Sequence, residues 1–226
     1  MGVFYGAKMN KYLDAHCHLF DVLLPDNIGA IVNATKPADW DAVIRLSNEK
    51  PNVWGAIGVH PWYLADLPND WDVRLYDLLV RNPNIMVGEI GLDKHKLDMD
   101  KQIAVFVRQL EIAHNLSRGV HIHCVGAWDK VLHIFKSYAK KMPPFVLFHR
   151  FDGKAQDIVR LVNKYNAYFS YHKITPELLS NTPIDRILVE TDSTNPAQVV
   201  AITDSVATLY PECDLYNNAQ RMLKNG

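Results

Sequence analysis

Imidazoles and carboxylates recur in short clusters along this chain: Asp14-Ala15-His16-Cys17-His18, Gly88-Glu89-Ile90-Gly91-Leu92-Asp93, His121-Ile122-His123, His149-Arg150 and Glu190-Thr191-Asp192. Neutral imidazole nitrogens and carboxylate oxygens suit borderline or hard divalent cations. The three cysteines, Cys17, Cys124 and Cys213, form no thiolate set of the kind a structural zinc site needs. His16, His18, Glu89, His123, His149 and Asp192 are six candidate ligands, more than one tetrahedral ion uses. A bridging carboxylate among them would hold two ions roughly 3.5–4 Å apart, a pair that generates hydroxide near neutral pH and stabilises the attacking and leaving oxygens. The chemistry implied is hydrolysis. Asp192 is the residue expected to orient the water and take its proton, and Glu89 the second catalytic carboxylate.

Such residues converge only if the fold brings them to one place. Short runs rich in Val, Ile and aromatics predict strands at Tyr12–Phe20, Ile28–Thr35, Val53–His60, Ile85–Asp93, Gly119–Cys124, Phe145–Arg150, Ala167–His172 and Arg186–Asp192. Between them, helical periodicity marks Ala38–Lys50, Trp71–Arg81, Lys101–Arg118, Trp128–Lys140, Lys154–Tyr165 and Pro176–Asn181, with Ala197–Tyr210 and Leu215–Lys224 closing the series. Strands alternating with helices make a parallel sheet, and eight such units predict an α/β, TIM-like (β/α)8 barrel. No GxGxxG follows any strand, which argues against an open dinucleotide-binding sheet. Six of the eight strands end in His, Glu or Asp, at the end where barrel enzymes place their catalytic groups.

Composition bounds the rest. With 226 residues, 24 Lys+Arg against 25 Asp+Glu, 48% hydrophobic and 22% charged residues, the chain is neither disordered nor fibrous. No composition shift or linker breaks residues 1–226, so one domain is expected. A net charge of -1 argues against broad, charge-driven coating of nucleic acid. No apolar stretch reaches the roughly 18 residues of a membrane span, the segment MGVFYGAKMNKY does not read as a leader, and the odd, widely spaced cysteines suit a reducing compartment. A cytoplasmic monomer with no membrane partner is the expectation.

Taken together, the motifs resemble those of the TatD family of metal-dependent hydrolases. Asp14-Ala15-His16-Cys17-His18 matches its DxHxH, Gly58-Val59-His60-Pro61 its GxHP, and Gly88-Glu89-Ile90-Gly91-Leu92-Asp93 its GEIGLD. Val120-His121-Ile122-His123, His149-Arg150-Phe151-Asp152-Gly153 and Glu190-Thr191-Asp192 match further family segments in the same order. The resemblance implies a barrel binding two divalent ions (Zn, Mg or Mn) and a phosphodiesterase, often a deoxyribonuclease, with DNA or another phosphodiester as partner. By the same resemblance His16, His18 and Asp192 would hold one ion, His123 and His149 the other, and Glu89 would bridge. The chain departs from the family at Cys124-Val125, where an arginine usually stands two residues after His123, and at Arg150, a position commonly cysteine or serine. The loop after Asp192 is also shorter.

Further residues complete the expected site. His60, Asp93, Arg150 and Lys94 fall at the mouth as candidate substrate contacts, while Glu190 and His121 lie one layer below ligands as candidate orienting groups. Lys94-His95-Lys96, Arg150 and His172-Lys173 form a cationic rim suited to an anionic substrate. Trp62 and Tyr63 either stack on a base or cap the barrel. Two other functions compete: hydrolysis of an amide or ester in a small molecule or aminoacyl-nucleotide, and metal binding without catalysis. The presence of Asp192 argues against the second.

Overall fold

The computed structural model describes residues 12–19 and 24–224. The predicted end of the first strand at Phe20, and the amino-terminal segment read for a leader, lie outside the described residues apart from Tyr12. Strands β1 (Tyr12–Cys17), β2 (Ile28–Asn33), β3 (Val53–Ile57), β4 (Met86–Asp93), β5 (Val120–Val125), β6 (Val146–Phe148), β7 (Ala167–Tyr171) and β8 (Ile187–Val189) form one sheet in sequence order. Every neighbouring pair from β1 to β8 is parallel. The helices α1 (Trp40–Glu49), α2 (Trp71–Arg81), α3 (Met99–Asn115), α4 (Trp128–Ser137), α5 (Ala155–Tyr165), α6 (Pro176–Asn181), α7 (Val199–Leu209) and α8 (Leu215–Leu223) alternate with the strands or follow them. This is the expected (β/α)8 architecture. At the seam, backbone hydrogen bonds from Asp192 N–H to His16 O (2.9 Å) and from His18 N–H to Ser193 O (3.0 Å) join the segments after β8 to the end of β1.

Two apolar layers hold the sheet. Val32, Ile57, Val87, Ile122 and Phe148 join the helix residues Trp40, Leu75, Phe106 and Phe135 in one continuous cluster, as expected where parallel strands are covered by helices. Leu13, Ile31, Met86, Leu147, Tyr168 and Leu188 form a second cluster, to which α8 contributes Ala219 and Met222. No helix among the described residues is long and apolar enough to cross a membrane.

The observed strands are shorter than the predicted ones where function is concentrated. β3 stops at Ile57, β6 at Phe148 and β8 at Val189, so His60, His149 and Asp192 sit on the segments just beyond rather than within the ladders. The backbone gives the reason at two of these ends. Arg150 (φ 43°) and Asp192 (φ 50°) adopt the left-handed region, which no strand accommodates and which non-glycine residues occupy at a cost. Helices also move: α1 begins at Trp40, α3 spans Met99–Asn115, α4 ends at Ser137, and a 3-10 turn at Pro196–Gln198 precedes α7.

Two ladders carry irregularities that alternation cannot reveal. Register shifts occur between Asp14 and Cys17 in β1 and between Val87 and Ile90 in β4. Bulges of this kind re-aim side chains next to active sites. His16 and Glu89 lie within the two shifted stretches, and they meet at 3.4 Å.

Candidate metal centre

Glu89 stands at the centre of five imidazoles. Its Oε2 lies 3.4 Å from His16 Nε2 and 3.5 Å from His18 Nε2. Its Oε1 lies 2.8 Å from His149 Nε2, 3.0 Å from His123 Nδ1 and 3.2 Å from His60 Nε2. Asp192 adds a second carboxylate on the Oε2 side, 3.2 Å from His18 Nε2 and 3.9 Å from His16 Nε2. Three groups present ligand atoms within 4.8 Å of one another: His16-Glu89-His149, His16-His18-Asp192 and His60-Glu89-His123. All six ligand candidates are therefore brought together, and His60 joins them.

The fold holds these side chains by identifiable contacts. His18 Nδ1 faces the Asn33 carbonyl at 3.0 Å, which turns Nε2 toward the two carboxylates. His60 is fixed through its chain neighbours: Trp40 Nε1–H donates to Gly58 O, and the Gln109 amide exchanges two hydrogen bonds with Val59. The Asp14 carboxylate accepts from His16 N–H, Thr191 N–H and Thr191 Oγ–H, stitching β1 to the segment that carries Asp192. Glu190 accepts from Arg150 N–H and from the Ser170 hydroxyl, and its Oε1 lies 3.6 Å from His149 Nδ1. Gly91 lets β4 run against β5: its φ of 149° disfavours any side chain, and a Cβ there would collide with the His123 carbonyl oxygen.

Electrostatics and burial fit a cation. His16 Nδ1 and Nε2, His123 Nε2 and His149 Nδ1 are buried without a hydrogen-bond partner among the described residues, an arrangement that native interiors avoid unless something else satisfies the group. Burial pushes the His16 and His60 imidazoles below their ordinary range, toward the neutral form that ligates metals. Burial opposes ionisation of Glu89, but His60 and His149 overcome it and hold the carboxyl well below the usual carboxylate range. For Asp192 burial is likewise outweighed, by the His18 hydrogen bond and the His16 and His149 charges, and the carboxyl lies below its ordinary value. The donor set of imidazole and carboxylate without thiolate matches divalent ions of the Zn, Mn or Mg type.

The remaining expected residues separate. Asp93 accepts from Trp62 Nε1–H (2.7 Å) and His95 N–H (2.8 Å) and faces His123 Nε2 at 3.5 Å, so it both shapes the turn and touches a ligand candidate. Arg150 reaches Asp192 Oδ2 at 2.9 Å. Lys94 lies outside the cavity lining, with its aliphatic chain against Gly126. Both Glu190 and His121 are fully buried; Glu190 faces His149, whereas His121 stacks 5.9 Å from His16 with neither ring nitrogen bonded among the described residues. Sequence reasoning did not single out Asn33, Ser170, Gln109 or Thr191. Thr191 alone carried a signal, its place between Glu190 and Asp192.

The centre opens into a cavity of about 700 Å3, lined by His18, His60, Glu89, His123, His149 and Asp192, with Lys36, Arg150, Trp62 and Tyr63 toward its rim. That volume is within the range of small-ligand sites.

Comparison with known proteins bears on the family and the fold. The 3'-5' ssDNA/RNA exonuclease TatD of Escherichia coli K12 is 26% identical over 179 residues, covering 73% of this chain and 67% of that one. The human 3'-5' RNA nuclease TATDN2 is 32% identical over 155 residues, 62% of this chain but 20% of the longer relative. An uncharacterized metal-dependent hydrolase of Bacillus subtilis, YabD, is 25% identical over 202 residues, 79% of this chain and 78% of its own. In fold, the crystal structure of the E. coli TatD homolog YJJV superposes with a TM-score of 0.78 at 23% identity, covering 96% of both chains. The family model described as TatD related DNase matches residues 13–209, and on that match the chain belongs to the TatD-related DNase family.

Proposed function

We propose that this protein is a metal-dependent phosphodiesterase that hydrolyses single-stranded nucleic acid, with two divalent ions held on either side of Glu89. One observation carries the reading: the two oxygens of a single buried carboxylate face separate histidine groups, with Asp192 beside one of them. His16, His18 and Asp192 would hold one ion and His123 and His149 the other, with His60 next to the second. When bound, such ions supply Lewis acidity toward a phosphoryl oxygen and make water a better acid.

The chain's own residues supply positioning and proton transfer. Asp192 is ionised across the neutral range, since its neighbours hold its carboxyl low, and an ionised carboxylate at the cavity wall can orient a water and accept its proton. The guanidinium of Arg150, half-exposed and paired to the outer oxygen of Asp192, is placed to contact a phosphate oxygen of an incoming strand. Glu190 keeps His149 oriented, and Asp14 keeps the Thr191–Asp192 segment in register with His16. The E. coli and human relatives are named for 3'-5' nucleases acting on ssDNA/RNA and on RNA, which supports an end-directed single-strand substrate.

The test is hydrolysis of single-stranded DNA and RNA by the purified chain with Mn2+ or Mg2+, beside Asp192→Asn. Metal-dependent nucleotide release by the wild type, lost in the variant, is the expected result. Full metal loading without cleavage of either strand, but with turnover of small amides or esters, would overturn it.

A further inference from the structure

We propose that the exposed indole of Trp62, with Tyr63 beside it, is a stacking platform for an unpaired nucleobase next to the scissile linkage. The inference rests on the nuclease reading above and adds the residue that recognises the base. Trp62 and Tyr63 close the 3-10 turn Pro61–Tyr63, directly after His60, and both line the cavity. They are 51% and 41% exposed, whereas Trp40, a few residues after β2, is fully buried. Large aromatic rings left half-exposed at the rim of a cavity call for an apolar or π-rich partner.

The indole is fixed in place. Its Nε1–H donates to Asp93 Oδ2 at 2.7 Å, its backbone N–H donates to His60 Nδ1 at 3.2 Å, and the His60 ring meets it edge-on at 5.2 Å. Asp93 is itself held, because the Gln102 amide accepts from its N–H and donates to its carbonyl. A ring fixed in this way loses little freedom when a ligand stacks on it. Trp62 also lies at the reacting centre, its ring centroid 6.2 Å from that of His123.

Positive charge flanks the rings. Lys96 Nζ sits over the Trp62 ring, 4.3 Å from its centroid, and Lys36 Nζ over the Tyr63 ring at 5.4 Å, so a stacking base takes the opposite face or displaces the ammonium group. Mobile ammonium groups against two half-exposed aromatic rings match a base with phosphates on either side, the combination by which single strands are bound without sequence readout. A paired base inside a duplex has both faces covered by its neighbours, so a platform of this kind selects for unpaired ends.

The experiment uses the whole Mn2+-loaded protein and a trithymidylate with phosphorothioate linkages, beside the same backbone with abasic sugars. Binding is measured by calorimetry for the wild type, Trp62→Leu and Trp62→Phe, with circular dichroism and metal content checking each variant. The wild type should bind the base-bearing strand about tenfold more tightly than the abasic one, the size of one base–aromatic stack. Trp62→Leu should erase that preference, and Trp62→Phe, which keeps a π face without the bond to Asp93, should keep most of it. Equal affinity of the wild type for the two strands, or an unchanged preference in Trp62→Leu, would overturn the platform. Cleavage of unmodified strands by the same preparations is scored separately: base preference without cleavage would sink the nuclease reading alone, and cleavage without base preference would sink the platform alone.

Discussion

Oε2 of Glu89 faces His16 and His18 with Asp192 alongside, on the seam between β1 and β8, whereas Oε1 faces His60, His123 and His149 on the β3 to β6 side. The seam half has two carboxylates and is the wetter one: the His18 and Asp192 side chains are 21% and 17% exposed, against 5% for His149. The other half has three imidazoles and is nearly dry, and its further carboxylates, Asp93 and Glu190, face the ring nitrogens of His123 and His149 that point away from Glu89, at 3.5 and 3.6 Å. Carboxylate-rich sites favour harder ions and imidazole-rich ones borderline ions, so the halves should differ in preference and in tenacity. The lesson is a division of labour. With an ion in each half, the seam half would exchange water and substrate and the inner half would hold its ion throughout.

The largest effect should come from the atom pair the halves share. Glu89→Gln should lower hydrolysis by more than about 10³-fold and strip metal from both sides, measured by metal analysis after gel filtration. If the variant keeps a full metal load, the halves do not share that carboxylate. Asp192→Asn should reduce turnover by roughly 10²–10⁴-fold while one ion stays bound, whereas His149→Ala should release the tightly held ion. Equal metal loss in both variants would erase the distinction between the halves.

Protonation gives the next test. Burial works against charging His149, yet Glu89 and Glu190 prevail and raise its imidazole well above the ordinary value; His18 is also raised, with Asp192 and Glu89 outweighing burial. In the metal-free protein His149 therefore keeps its proton to a higher pH than an ordinary imidazole, with His18 shifted the same way, and metal uptake must displace it. Affinity should rise with pH through the neutral range, and calorimetry in buffers of different ionisation enthalpy should show proton release. A pH-independent affinity would contradict the assignment of His149 as a ligand. The smallest effect should be at the seam support: Asp14→Ala leaves three donors of His16 and Thr191 unsatisfied, at a cost of about 1–3 kcal/mol, or roughly 2–4 °C of Tm per kcal/mol. An unchanged Tm would mean that the seam does not depend on Asp14.

Much of this was legible in the residues. Apolar runs at βα spacing announced eight parallel strands, because a strand covered on both faces must be apolar along its length. The convergence of the six candidates was legible because imidazole and carboxylate at the ends of apolar strands have little structural use there. What stayed hidden depends on geometry that alternation does not encode. The register shifts around His16 and Glu89 re-aim side chains without changing residue type, and the left-handed turns at Arg150 and Asp192 fall on residues whose composition does not announce them. His60 reads as a mouth residue in the sequence; its approach to Glu89 depends on Trp40 and Gln109, which lie on separate helices. Lys94 shows the opposite case, a charge at the right strand end whose stem packs against Gly126 outside the cavity lining.

The joint between the first and last strands has a consequence for the order in which the protein is made. His18 and Asp192 are 174 positions apart, yet they are 3.2 Å apart in the barrel, and the backbone bonds that close the ring come from the same segment. A nascent chain therefore carries His16 and His18 for most of synthesis before Asp192 exists, while His60, Glu89, His123 and His149 are complete well before the last strand. Closure is a contact of very long sequence separation, which is slow to form. The inner cluster can assemble first, and the ability to cut would arrive with the final strand.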